Sequence, residues 1–464
     1  MAGDVLRAHG TGLPKASDRR IAVRATPDAI RHLRAGDPWL FDGSITSTSG
    51  PTSAPASGPA SAGDLAVVFD AQRRFAAIGL WDPTSPIRVK ALHHGDPRPI
   101  DETFWRERIT TALERRSTLA ADPDTNAYRC VHGENDRLPS LVVDRYDRSL
   151  VVKLYSAIWF PHLTQVVATL CEVLDPERVV LRLSRNVAKC ETFGLTDGTT
   201  IVGPPPEGPV RFRERGLTLE ADVVRGHKTG HFLDQRDNRA LVRSMAQGAR
   251  VLDVFASTGG FSVAAAAGGA TSVDLVDVSG PALRTAERNL AHNRFIGAVR
   301  ACTVHTTTGD AFVEMDRLRR REQRFGLVVV DPPSFAQRSA DVPNAVRAYA
   351  RLTQSAVGLV EQGGSLVQSS CSSRVTADEF FTTVHEAAAV AGFELREIRR
   401  TGHPVDHPIG FEHGEYLKTI YARVEPGRRR SPRRPDRSGT VPSTVDRSSA
   451  RRTIGPMATP SVRA

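Results

Sequence analysis

Two side chains in the last third of this chain could carry out chemistry together. Cys371 stands in SLVQSSCSS and Asp331 in VVVDPPS, each directly after a short run of apolar and β-branched residues. A thiolate is a strong nucleophile that can form a covalent intermediate. Carbon 5 of a pyrimidine is a poor nucleophile toward a sulfonium methyl, and thiolate addition at carbon 6 is what activates it. Asp331 leaves its strand straight into Pro332 and Pro333, which stiffen the backbone and fix the direction of the carboxylate. An acid held in this way can engage the amino or ring nitrogen of a flipped base. The hydroxyls of Ser370 and Ser372, with a nearby helix start, are expected to lower the thiol pKa. Cys130, Cys171, Cys190 and Cys302 read instead as small buried hydrophobes.

A second group of residues suits a cofactor. VLDVFASTGGFSV places a strand, a small-residue turn and a helix start in one unit. The turn is not GxGxxG and no lysine follows it, so neither a dinucleotide pyrophosphate nor a P-loop phosphate is favoured. Gly259 and Gly260 are expected to let the backbone approach a ligand closely. Asp277 ends the next strand, twenty-four positions after Asp253, where a carboxylate accepts hydrogen bonds from ribose hydroxyls. A nucleoside without phosphates fits this pair, and S-adenosylmethionine is such a ligand. Asp310, in GDAF, follows a third strand, where the competing reading is a helix N-cap.

The elements that must position these groups are legible as alternating text. VLDVFAS, SVDLVDV, CTVHTT, GLVVVD, GSLVQSS and YLKTIYARV are short β-rich runs with helical segments between most of them. Repeated βα units predict an α/β, doubly wound, mostly parallel, Rossmann-like sheet over residues 219–424. Ligands bind such sheets outside the carboxyl ends of the strands. Upstream, strand-like alternation over residues 19–93 predicts a small β-barrel, interrupted by TSTSGPTSAPASGPASAGD, which reads as a low-complexity loop. Residues 94–218 predict a connecting helix, DETFWRERITTALERRSTL, and a central α+β domain that exits through GPPPEGPVRFRERG.

Composition bounds the remainder. Of the formal charge of +10, the stretch from Glu425 onward carries ten arginines against three acids, so +7 belongs to an Arg/Ser/Pro-rich tail. Residues 425–464 and 1–18 are expected to be disordered. No run approaches eighteen consecutive apolar residues, and the start lacks the apolar core of a signal peptide, so no membrane partner and a cytoplasmic location are expected. The five cysteines form no CxxC and have no histidine at ligand spacing, so no metal is expected.

DPWLFDGSI and GDLAVVFD resemble the PUA domain, a compact RNA-binding barrel. With GHKTGHFLDQRDNR, VLDVFASTGGFSVAAAAGGA, VDVSGPALRTAERNLAHN, DPPSF, SSCSS and HPVDHP, the chain from residue 20 to 424 resembles the PUA-containing large-subunit ribosomal RNA 5-methylcytosine methyltransferases. The resemblance implies S-adenosylmethionine as cofactor, Cys371 as nucleophile and Asp331 at the cytosine N3/N4 edge. It further implies Asp277 at the ribose and Asp310 at the adenine. Backbone of Phe255, Ser257, Thr258, Gly259 and Gly260, following Asp253, would cradle the methionine portion, with Phe232 and Gln235 in a covering loop. The implied partner is structured RNA, 23S-type or in an assembling large subunit, and a homodimer is compatible. DPPS lacks the second cysteine that some RNA 5-methylcytosine enzymes carry there, so another group or water must remove the C5 proton.

Two other readings stay open: a guanine N-methyltransferase, which needs the carboxylate but not the thiol, and a non-catalytic RNA-binding assembly factor. His227, His403 and His407 are acid–base candidates, although loop histidines beside prolines are more often structural. Trp39 and Phe41 could stack on a base, with burial in the barrel core as the more common alternative.

Overall fold

The computed structural model describes residues 12–49, 60–336 and 338–427. Strands β1 (Arg20–Ala25), β2 (Trp39–Phe41), β3 (Ile45–Ser49), β4 (Leu65–Phe69), β5 (Phe75–Trp81) and β6 (Ile87–His94) form one sheet in the order β2-β6-β5-β4-β1-β3. Alternation in β1 turns Ile21 and Val23 into a core shared with Leu40, Val68 and Val89. Part of the expected low-complexity loop is ordered: β3 pairs antiparallel with β1, setting Ser49 opposite Ala22. Residues 50–59 lie outside the described residues, as do 1–11 and 428–464, where most of the expected disorder falls. Residues 12–18 depart from that expectation, because Leu13 packs against the central core.

The central sheet runs β11 (Thr200–Val202), β10 (Arg178–Leu183), β9 (Ser149–Leu154), β8 (Leu141–Tyr146), β7 (Ala127–His132). Its core includes Trp105 and Trp159, whose rings meet 5.6 Å apart. The stretch Ala157–Leu174 is long and apolar enough to cross a membrane by composition. It is a 3-10 turn followed by a twelve-residue helix, and Trp159, Leu163, Val166, Val167 and Leu170 are all buried in this core. A hairpin of β12 (Val210–Glu214) and β13 (Leu217–Ala221) follows, so the boundary expected at 218 falls within a strand.

The third sheet contains β14 (Arg250–Val254), β15 (Ser272–Asp277), β16 (Thr303–Thr308), β17 (Phe325–Val330), β18 (Val360–Ser370), β19 (Phe393–Thr401) and β20 (Lys418–Pro426). Their order is β16-β15-β14-β17-β18-β20-β19, with β20 antiparallel to both neighbours. Helices cover both faces, which is why the central strands read as continuous apolar runs. Leu327 and Val329 face one core while Val328 and Val330 face the other. The strand order reverses between β14 and β17, so the crevice opens at the carboxyl ends of these two strands.

A buried polar clamp ties the central domain to the last one. The Arg116 guanidinium, wholly buried, pairs with Asp136 at 2.6 Å and donates to the Asp406 carbonyl at 2.9 Å. The Asp406 carboxylate accepts from the Arg129 N–H at 2.9 Å and pairs with buried Arg236 at 3.0 Å.

Candidate active site

The turn after β14 is held in conformations that side chains rarely adopt. Phe255 has φ +64°, Ser257 +49° and Gly259 +75°. A bulky residue in the left-handed region costs about 1–3 kcal/mol and persists where the surroundings enforce it, commonly at ligand sites. Asp277 is one of the enforcing groups: Oδ2 accepts from the Ser257 N–H and Oδ1 from the Ser279 N–H, both at 2.8 Å. Each oxygen keeps a lone pair for a ribose hydroxyl.

Asp253 lies beneath the turn. Its Oδ2 accepts from Ser262 Oγ at 2.7 Å, Oδ1 has no partner among the described residues, and burial pushes its pKa up to about 6. Asp310 caps the helix Ala311–Arg320 by accepting from the Phe312 and Val313 N–H groups, and it is exposed. Thr258 Oγ1 stands 3.5 Å from His231 Nδ1; the other ring nitrogen of His231 is buried without a partner among the described residues.

The glycines are also required by the protein's own packing. A Cβ on Gly259 would come within 2.6 Å of the Ala286 Cβ, and one on Gly260 within 2.9 Å of Arg239 Cδ. Close packing of protein against protein, together with the positive φ of Gly259, requires glycine here. Gln235 also departs from expectation. Its Nε2 donates to Asp331 Oδ1 at 2.7 Å while its Oε1 accepts from Asn238 at 2.6 Å. Both polar ends are thus engaged by protein, and Gln235 orients Asp331. Phe232 lies half-buried under the Lys228 ammonium, 4.7 Å from its ring centre.

Cys371 and Asp331 emerge from adjacent parallel strands, since β17 pairs with β18. The Cys371 sulfur sits 3.8 Å from the Pro332 carbonyl oxygen. Burial pushes the thiol pKa up to about 11; the Lys228 charge pulls it down and the Asp331 charge pushes it up. The expected acidification by Ser370 and Ser372 does not occur. Ser370 Oγ donates to the Tyr349 hydroxyl at 2.9 Å, and Ser372 Oγ bonds Tyr349 and Ser334. The next helix, Ala377–Val390, begins six residues beyond the thiol. Asp331 is raised to about 7, first by burial, then by the charges of Asp234 and Asp253.

Three residues at this rim escaped the sequence reading. Lys228 Nζ pairs with Asp234 Oδ2 at 3.6 Å, and the same oxygen accepts from the Tyr416 hydroxyl at 2.9 Å. Lys228 and Asp234 lie within the loop already singled out, but nothing local marked Tyr416, 182 positions from Asp234. The histidines divide as expected of structural groups. His403 Nε2 accepts from the Tyr416 and Leu417 N–H groups, and His407 is buried beside Asp406. His227 shows no comparable arrangement.

Sheet order, strained turn and paired acid define a Rossmann-like S-adenosylmethionine-dependent methyltransferase domain. A family model of S-adenosylmethionine-dependent methyltransferases matches residues 199–412, and one of PUA-like domains matches residues 23–94. The chain is 41% identical to a ribosomal RNA large subunit methyltransferase of Deinococcus radiodurans over 89% of this chain and 99% of that one. It is 34% identical to ribosomal RNA large subunit methyltransferase I of Alteromonas mediterranea over 86% and 97%. The chain belongs to the family that contains these methyltransferases. A solved Streptococcus mutans chain described as a SAM-dependent methyltransferase shares the fold at a TM-score of 0.71 and 19% identity, covering 87% of this chain and all of that one.

The residues present fit the cofactor: a strained turn, an acid with free lone pairs, and buried atoms on Asp253 and His231 that have no partner among the described residues.

Proposed function

We propose that the protein methylates carbon 5 of a cytosine in large-subunit ribosomal RNA, in the cytoplasm, through covalent catalysis by Cys371. The substrate class follows the relatives, which are named for large-subunit ribosomal RNA. What carries the choice of carbon over nitrogen is the thiol 3.8 Å from the turn that bears Asp331. A half-buried thiol beside the acid has no step to perform in N-methylation.

The base leaves its helix to reach the crevice. Bound S-adenosylmethionine supplies an electrophilic methyl. Asp277 and the 255–260 backbone would hold the cofactor, and Asp310 would stand at its adenine end. With a pKa near 7, Asp331 is divided between its two forms at neutral pH. As carboxylate it takes the thiol proton, and as acid it returns that proton to N3 while sulfur bonds to C6. The C5 carbon, now an enamine terminus, accepts the methyl. Loss of the C5 proton to water or another base re-forms the C5–C6 double bond and breaks the C6–S bond. N3 gives its proton back to Asp331, and the cysteine is restored.

Bisulfite sequencing of ribosomal RNA from cells with and without the gene tests this reading. A cytosine that loses protection in the deletion, and is not re-protected by a Cys371→Ala copy, is the expected result. Loss of a guanine methyl instead, or full complementation by Cys371→Ala, would overturn it.

A further inference from the structure

Trp39 and Phe41 are not core residues. Phe41 is 47% exposed and Trp39 is only partly buried. Trp39 meets Phe411 edge-to-face at 4.9 Å, and the His413 ring lies nearly parallel to it at 6.2 Å, 14° between planes. The first two residues come from the PUA-like sheet, the other two from the loop between β19 and β20. The central domain joins them, because Trp39 Nε1 donates to Glu134 and Asn135 Oδ1 accepts from the Gly410 N–H at 2.7 Å. Three domains thus meet at a row of rings in which Phe41 and His413 are exposed and Trp39 and Phe411 half-buried.

Beside that row the charge is crowded and positive. Arg137 is exposed, held at φ +57°, and makes no hydrogen bond or ion pair through its side chain among the described residues. Arg108 is depressed to about 10, by burial first and then by the charges of Arg137 and Arg98. Of the acids nearby, Glu107 pairs with Arg98 and Asp136 with Arg115 and Arg116, while Glu134 accepts from the neutral Trp39 indole and keeps its charge. Glu412 is exposed in the loop itself. Accessible ring edges next to an exposed arginine with no paired acid are how proteins hold unstacked bases and their phosphates.

The platform is also near the chemistry. The loop that carries Phe411 reaches Tyr416, whose hydroxyl bonds Asp234 at the Cys371 rim. Five residues span at most about 18 Å.

We propose that this three-domain seam, centred on Trp39, Phe41 and Phe411 with Arg137 beside it, is where unpaired RNA nucleotides flanking the target base stack. Flipping a base leaves its neighbours without partners, and the rings replace the lost stacking. The inference rests on RNA being the substrate.

The test uses full-length protein and deproteinised large-subunit ribosomal RNA from cells lacking the gene, with methyl transfer and filter binding measured in parallel. Phe41→Ala and Phe411→Ala each raise the KM for RNA about 5- to 100-fold, with kcat at saturating RNA and the KM for S-adenosylmethionine unchanged. Arg137→Glu weakens RNA binding and lowers the slope of log affinity against log salt by about one to two. Trp39→Ala is read only if its melting temperature matches wild type; the exposed Phe41 and Arg137 variants keep the test decisive if it does not. Unchanged RNA affinity in both of those variants overturns the inference, and so does an effect confined to protein-containing subunits or to self-association. Failure of the wild type to methylate any RNA would instead sink the functional reading, while filter binding would still decide the role of the seam.

Discussion

The Cys371 sulfur lies 3.8 Å from the carbonyl oxygen of Pro332, so the thiol that follows one strand abuts the rigid turn that follows its parallel neighbour. Val330 pairs with Gln368 across these strands. Carried on one for one, that register sets Pro332 level with Ser370, and Cys371, one residue further along, meets the turn that bears Asp331.

Cys371→Ala should lower methyl transfer at least about a thousandfold, because truncating a covalent nucleophile removes a whole catalytic step. Affinity for S-adenosylmethionine, measured by calorimetry, should stay within about twofold. RNA containing 5-fluorocytosine should trap the wild type as an adduct that survives a denaturing gel, since fluorine at C5 cannot leave as a proton. The alanine variant should form none.

The Cys371 thiol, with a pKa near 11, is protonated at neutral pH without substrate. Its alkylation by iodoacetamide, followed by peptide mass spectrometry, should speed up about tenfold per pH unit toward that value. Lys228 is the cation that opposes the upward shift. Lys228→Met should move the alkylation profile to higher pH and slow methyl transfer. An unmoved profile would remove Lys228 from the thiol's surroundings.

Asp331→Asn trades activity for stability. The folded pKa of about 7 stands above the ordinary 3.8, so between those values the native state binds more protons than the unfolded one. The contribution of this group is therefore whole below about pH 4 and is lost as pH rises through 7. Removing the charge should leave the melting temperature unchanged at pH 4 and raise it by about 2–4 °C at pH 8, where about 1–2 kcal/mol is expected for a half-buried acid. Methyl transfer should fall about 10²- to 10⁴-fold. Scanning calorimetry across pH checks the first statement and initial rates the second.

Gly259→Ala meets two obstacles, a φ of +75° and an Ala286 Cβ 2.6 Å away. The variant should lose about 2–3 kcal/mol of stability in urea titration and bind S-adenosylmethionine more weakly. Ala286→Gly should recover only the steric part, since the backbone strain remains.

Much of the site could be read from local text. An apolar β-branched run ending in a breaker is a strand wherever it is buried, so Asp277, Asp331 and Cys371 could each be set after a strand. Their order along the chain placed them at one sheet edge. Errors arose where a residue has two local meanings. Ser49 sits in a Ser/Pro/Ala/Gly tract that reads as loop, yet pairing with Ala22 makes it strand. Gly259 reads as a ligand-facing glycine, and packing against Ala286 is a second reason for it that no local pattern marks. Asp310 caps a helix, the second of the two meanings its position offered.

By itself, then, the sequence determined the elements, their kind and the chemical groups at their ends, because backbone preference and hydrophobic period act over a few residues. Tertiary structure decided what state those groups are in. The serines flanking Cys371 turn to Tyr349, the thiol is weakened as an acid by burial, and Asp331 is raised by Asp234 and Asp253. Tyr416 reaches Asp234 across 182 positions, and Trp39 finds Phe411 across three domains. A pKa or a stacking contact depends on distance and on the exclusion of water in space, and neither quantity exists until remote segments have packed.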